Sequence, residues 1–97
     1  MTDKINQDSV IIHVAGNVQG VGFRFFTVKK AKQLDLNGYV KNLTNGEVEI
    51  VLCGKISKIS EMISWLEKGV PNSAKISHYN IKEYTPKENF QSFGVRY

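Results

Sequence analysis

The chain has 97 residues, 41% of them hydrophobic, with 13 basic against 9 acidic side chains and a net charge of +4. A chain of this length makes one domain and buries about two-thirds of its unfolded surface, enough for a modest core without disulfide or metal staples. Its apolar runs are only a few residues long, which excludes a membrane-spanning helix, and the single cysteine, Cys53, excludes an internal disulfide and a multi-thiol metal site.

Met1 to Asp8 is polar and of mixed charge. It lacks the basic start and apolar stretch of a secretory signal and reads as a flexible tail on a single domain over residues 1–97. Val10 to Ala15 reads as a strand. Phe23 to Leu36 fits a helix with Phe23, Thr27, Ala31 and Leu34 on one side, closed by Asn37-Gly38 as its stop. Tyr39 to Leu43 is a second strand, and Asn45-Gly46 signals a tight hairpin into a third. There Val48, Ile50 and Leu52 face one way and Glu47, Glu49, Val51 and Cys53 the other, until Gly54 breaks the strand. A second helix carries Ile56, Ile59, Ile63 and Leu66 as its apolar stripe and Gly69 as its stop, with Pro71 opposing re-entry. Ala74 to Tyr84 is a fourth strand with a bulge, because Ile76, Tyr79 and Ile81 break strict alternation. Phe93, Val95 and Tyr97 alternate in a short last strand. The order βαββαβ plus a C-terminal strand predicts an α+β, ferredoxin-like sandwich: an antiparallel sheet with two helices on one face.

The chemistry concentrates between Val14 and Arg24. Three glycines, Gly16, Gly20 and Gly22, separate a strand from a helix start, and an arginine follows at once. Glycines let successive backbone N–H groups turn toward one point. A helix N-terminus adds unpaired donors and partial positive charge. A guanidinium supplies a planar fork that fits phosphate oxygens. Together they make an anion cradle. It is not a Walker A loop, since no Gly-Lys-Ser/Thr follows, and not a dinucleotide fingerprint, since Phe25 stands where a third glycine belongs.

Other candidates are less specific. Asn42 ends the second strand and can lie beside the loop, where a neutral amide can hold a water without repelling phosphate. Taken alone, it reads more readily as a turn-favouring asparagine. His13 and His78 fall within strands, away from loop and hairpin, and read as structural or surface residues. Cys53 sits at a strand end and reads as a bystander. Phe25, Phe26, Tyr39, Trp65, Tyr79 and Phe93 read mostly as core or its cover. The pattern of RNA-recognition sheets is absent, and no Cys-x-x-Cys or histidine cluster supports a metal. The charge of +4 suits nucleic acid, a small anion or a plain soluble surface.

These residues resemble the acylphosphatase family. Its first motif runs aliphatic, any residue, Gly, any residue, Val-Gln-Gly-Val, any residue, Phe or Met, Arg. Val14, Gly16, Val18-Gln19-Gly20-Val21, Phe23 and Arg24 match every fixed position. The second motif is met by Gly38-Tyr39-Val40-Lys41-Asn42, then Gly46, Val48 and Gly54, and the ending Phe93-Gly94-Val95-Arg96-Tyr97 is similar to the family's usual close. The resemblance covers residues 9 to 97. It implies a cytosolic enzyme that hydrolyses acyl phosphates to a carboxylate and inorganic phosphate. Arg24 would grip the phosphoryl group, with backbone N–H groups of Gln19, Gly20, Val21, Gly22 and Phe23 wrapped around it, and Asn42 would orient the attacking water. Leu43 follows Asn42 where some members carry a hydroxyl residue. Some bacterial relatives pair a cysteine near position 53 with one in the first strand, and here that partner is missing.

A carboxylate leaves readily, so this mechanism needs no general acid, and charge and position carry the phosphoryl transition state. A substrate phosphate oxygen is expected to take the water's proton, with no covalent intermediate. No metal or organic cofactor is implied, no membrane or nucleic-acid partner is expected, and a monomer is the default. Two rivals remain open. One is a non-catalytic phosphate- or RNA-binding module on the same fold. The other is an acylphosphatase-like domain of a larger protein such as a hydrogenase-maturation carbamoyltransferase, although the Arg96-Tyr97 ending suits a stand-alone enzyme.

Overall fold

Alternation along the strands decides which side of the sheet is buried. Over the described residues, 7–20, 22–68 and 75–97, the computed structural model runs β1 (Gln7–Asn17), α1 (Phe23–Gln33), β2 (Asn37–Asn42), β3 (Val48–Lys55), α2 (Ile56–Lys68), β4 (Lys75–Glu83) and β5 (Phe93–Arg96). Val10, Ile12 and Val14 of β1, Val40 of β2, and Val48, Ile50 and Leu52 of β3 share one core with Phe23 and Ala31 of α1 and Ile59, Met62 and Leu66 of α2. Both helices therefore close over the same face of the sheet, as the split-βαβ pattern predicts.

The strand order is β4-β1-β3-β2-β5. The first four pair antiparallel, but β5 joins β2 in parallel, so the sheet as a whole is mixed. β4 and β5 are the two edges of the sheet, and the segment that joins them is held by Tyr84 N–H to Ser9 O at its start and Gly38 N–H to Ser92 O at its end. It also brings the Phe90 ring to 5.8 Å from Tyr39, on the sheet face away from the helices, where Val51 is buried. Gly38 is held to glycine by that sheet: a Cβ there would stand 1.9 Å from the Val51 carbonyl oxygen.

Several local expectations shift. β1 begins at Gln7 and pairs Gln7 with Lys55 and Asp8 with Gly54, inside the stretch expected to be a tail. Residues 1–6, Gly69, Pro71 and Ala74 lie outside the described residues. α1 ends at Gln33 rather than Leu36, and its stop is not Asn37-Gly38, which already belong to β2. Leu36 N–H reaches Ala31 O and Asp35 N–H reaches Lys32 O, a Schellman closure with Asp35 at φ 56 in the left-handed position usually given to glycine. In α2, Ile56 is exposed and Met62 takes its place in the buried stripe. The bulge expected in the fourth strand forms. Ala15 pairs with His78 and Gly16 with Ile76, leaving Ser77 as the extra residue.

Candidate active site

The loop after β1 carries the chain into the first turn of α1, and its glycines set the path. Gly20 and Gly22 have φ of 76° and 80°, in the left-handed region that side chains disfavour. Gly22 is the N-cap of α1 and offers no side chain to cap it; the first turn holds no acidic residue. Intrahelical bonding begins with Phe26 N–H to Gly22 O, so the preceding N–H groups of Phe23, Arg24 and Phe25 are not used inside the helix. Phe23 is buried in the core and anchors this turn from below.

Val18, Gly20, Gly22, Phe23, Arg24, Phe25 and Asn42 line one small cavity of about 200 Å³. The fold thus brings Arg24 and Asn42 together from sequence positions far apart. β2 ends at Asn42, which pairs with Val48, and this places the asparagine beside the start of α1. Asn42 Oδ1 is buried and, among the described residues, has no hydrogen-bond partner. The local turn-forming role that Asn42 suggests by itself belongs instead to Asn45, whose Oδ1 accepts from Glu47 N–H at 2.9 Å. Gly46 N–H closes the turn onto Leu43 O. The Arg24 guanidinium lies 5.3 Å from the centroid of the Tyr97 ring. Val21 lies outside the described residues.

Gln19 behaves differently from the rest of the cradle. Its side-chain amide donates to Leu43 O at 2.9 Å and to Glu47 O at 2.8 Å. It ties the loop after β1 to the hairpin that follows Asn42. Sequence reasoning placed Gln19 in the cradle through its backbone and missed this clamp. A glutamine between glycines in a turn is the only trace of it in the sequence, because the two carbonyls it binds lie 24 and 28 residues away.

The histidines and the cysteine stand apart. His13 Nε2 is 2.8 Å from Glu49 Oε1, and the Tyr39 hydroxyl donates to Glu49 Oε2 at 2.7 Å. This trio lies on the sheet face away from the helices. Burial alone would raise the Glu49 carboxyl, but the bonds to His13 and Tyr39 outweigh it and hold the group below the usual carboxylate range. Burial, aided by Glu49, pushes the Tyr39 hydroxyl well above its ordinary value. His78 is exposed on the edge strand β4. Burial raises the Cys53 thiol, with the Ser9 bond opposing it, so the thiol stays protonated near neutral pH. A larger cavity of about 410 Å³ lies at the far end of the sheet, against Ser9, Leu34 and Cys53, away from the residues of the cradle.

Comparison with known proteins gives a consistent answer. The family described as Acylphosphatase matches residues 10–95. The chain is 43% identical over 84 residues to an acylphosphatase of Aeromonas salmonicida (strain A449), covering 87% of this chain and 92% of the relative. The structure of an acylphosphatase from Coxiella burnetii superposes with a TM-score of 0.89 at 40% identity, covering 99% of each chain. Part of T. kodakarensis HypF also superposes, with a TM-score of 0.84 at 38% identity; the match covers 93% of this chain and 12% of that one. The chain belongs to the acylphosphatase family and is a hydrolase of that class.

Proposed function

We propose that the cavity between α1 and the end of β2 is where an acyl phosphate is hydrolysed, with Arg24 and Asn42 as the catalytic residues. The Arg24 guanidinium and the backbone N–H groups of Gln19, Gly20, Val21, Gly22 and Phe23 hold the phosphoryl oxygens. The observation that carries the reading is the buried Asn42 Oδ1, unpartnered among the described residues, in the same cavity as Arg24. A buried acceptor without a donor costs about 1–3 kcal/mol, so its retention points to a ligand that donates to it. A water fits that role. It donates one proton to Asn42 Oδ1 and turns a lone pair toward phosphorus.

The steps balance without a protein base. The water oxygen forms a bond to phosphorus as the bond from phosphorus to the acyl oxygen breaks. The electron pair leaves with the carboxylate, and the water's proton passes to a phosphoryl oxygen. Donors fixed before the reaction stabilise the charge that gathers on the phosphoryl group. No covalent intermediate forms and no metal takes part. In this reading the enzyme acts as a cytoplasmic monomer on a small acyl phosphate and releases inorganic phosphate.

Benzoyl phosphate hydrolysis in the presence of EDTA tests the proposal, followed by ultraviolet absorbance. Turnover is expected to persist with EDTA. Asn42→Ala is expected to lower it by roughly 10²–10³, the scale of one lost oriented polar group. Phosphate affinity and folding should be nearly kept. Arg24→Lys should both lower turnover strongly and weaken phosphate binding by about tenfold or more, since one charge-assisted bond of a fork contributes about 1.5–3 kcal/mol. Loss of phosphate binding in Asn42→Ala would remove the asparagine from the water-holding role. A folded protein that binds phosphate and does not turn over would be a binding module.

A further inference from the structure

We propose that Phe25 docks the acyl half of the substrate and biases this enzyme toward aromatic acyl phosphates; this rests on the acyl phosphate reading of the cavity. The cavity is small, about 200 Å³, so the acyl group of a substrate whose phosphoryl is held by Arg24 lies close to the other lining residues, and what it meets there decides selectivity. Phe25 is one of them, next to Arg24, and is 65% exposed. The sequence groups it with aromatics that are mostly core or its cover, but the helix turns it outward. Phe23 and Thr27, on either side, take the buried positions.

The Phe25 ring is braced for contact. It meets Phe26 edge to face, with centroids 5.3 Å apart and planes at 77°. Phe26 in turn packs on the core. A second exposed ring, Tyr97, lies against the Arg24 guanidinium, outside the cavity lining. Of the four large hydrophobic residues exposed among the described residues, Phe25 lines the cavity and Tyr97 stacks on its arginine, while Ile56 and Val95 are outside the cavity lining. An apolar rim around an anion site fits a substrate that is charged at one end and apolar at the other. An acetyl group offers this rim one methyl; a benzoyl group offers a ring that can pair with Phe25.

The test compares benzoyl and acetyl phosphate, which share the phosphoryl group and differ only where Phe25 acts. Steady-state kinetics on the full chain, Phe25→Leu and Phe25→Ala give the ratio of kcat/KM for the two substrates. Phe25→Ala is expected to lower the benzoyl-to-acetyl ratio by about tenfold, the scale of one aromatic pair plus its buried area, chiefly through KM. Phe25→Leu should fall between. A ratio that stays within about twofold of the wild type overturns the proposal. Affinities of benzoylphosphonate and acetylphosphonate, which do not turn over, are measured in parallel by calorimetry. If the wild type hydrolyses neither substrate, the acyl phosphate reading fails. The phosphonate ratio then still decides whether Phe25 selects an aromatic group.

Discussion

A side-chain amide at the end of a strand can serve a water only if the fold leaves its oxygen unclaimed. Asn45 and Asn42 show the difference. Asn45 bonds back to Glu47 and makes a turn, whereas Asn42 keeps a buried Oδ1, unpartnered among the described residues, in the cavity with Arg24. The residue types are legible in the sequence; which asparagine is consumed locally is not. The histidines make the complementary case. His13 is paired with Glu49 on the opposite face of the sheet, and His78 points to solvent from an edge. The double variant His13→Ala, His78→Ala is expected to turn over at close to the wild-type rate. Its unfolding free energy should fall by about 1 kcal/mol, because Glu49 loses a part-buried partner. A loss of about a thousandfold in kcat would instead assign one of them as a general base.

At the scale of elements, the site depends on how two loops are held against each other. The loop after β1 supplies donors and the β2–β3 hairpin supplies Asn42, and the Gln19 amide joins them through two carbonyls of the hairpin. Gln19→Leu is expected to leave the core intact and to cost about 1–3 kcal/mol, since two part-buried carbonyls lose a donor. It should also reduce kcat more than phosphate affinity, because the water and the cradle lose their common frame. Matched turnover with matched stability would make the clamp incidental. The other element boundaries teach a similar lesson. Asn37-Gly38 reads as a helix stop by composition, yet the Schellman closure falls two residues earlier on Asp35. Leu36 is then free to enter the core as the closure's apolar contact. Packing, rather than turn propensity, chose the end of α1.

Over the whole molecule, the helix-bearing face holds the main core and the opposite face a smaller one built around Tyr39, Val51 and Phe90. Glu49 sits on that second face between His13 of β1 and Tyr39 of β2, with Lys41 also favouring its charge. Its carboxyl is a stronger acid in the folded chain than its ordinary value of 4.5. The stabilisation is therefore complete above that value and fades as pH falls through the lower folded one. Thermal unfolding from about pH 7 down to about pH 3 should show the Tm gap between the wild type and Glu49→Gln narrowing on the acid side. A gap that stays constant or widens in acid would show that the trio does not stabilise the charged carboxylate.

The order of elements, the faces of β3, the β4 bulge and the residue types of the cradle are legible in the sequence. Those features follow from local periods of two and 3.6 and from backbone chemistry that neighbours in the chain settle. The parallel seat of β5, the covered second face, the Gln19 clamp and the exposure of Phe25 come from long-range packing. Each of these joins residues far apart in the chain or turns a side chain by packing. Periodicity carries no information about which distant carbonyl an amide will find, nor about which aromatic ring the core will leave outside.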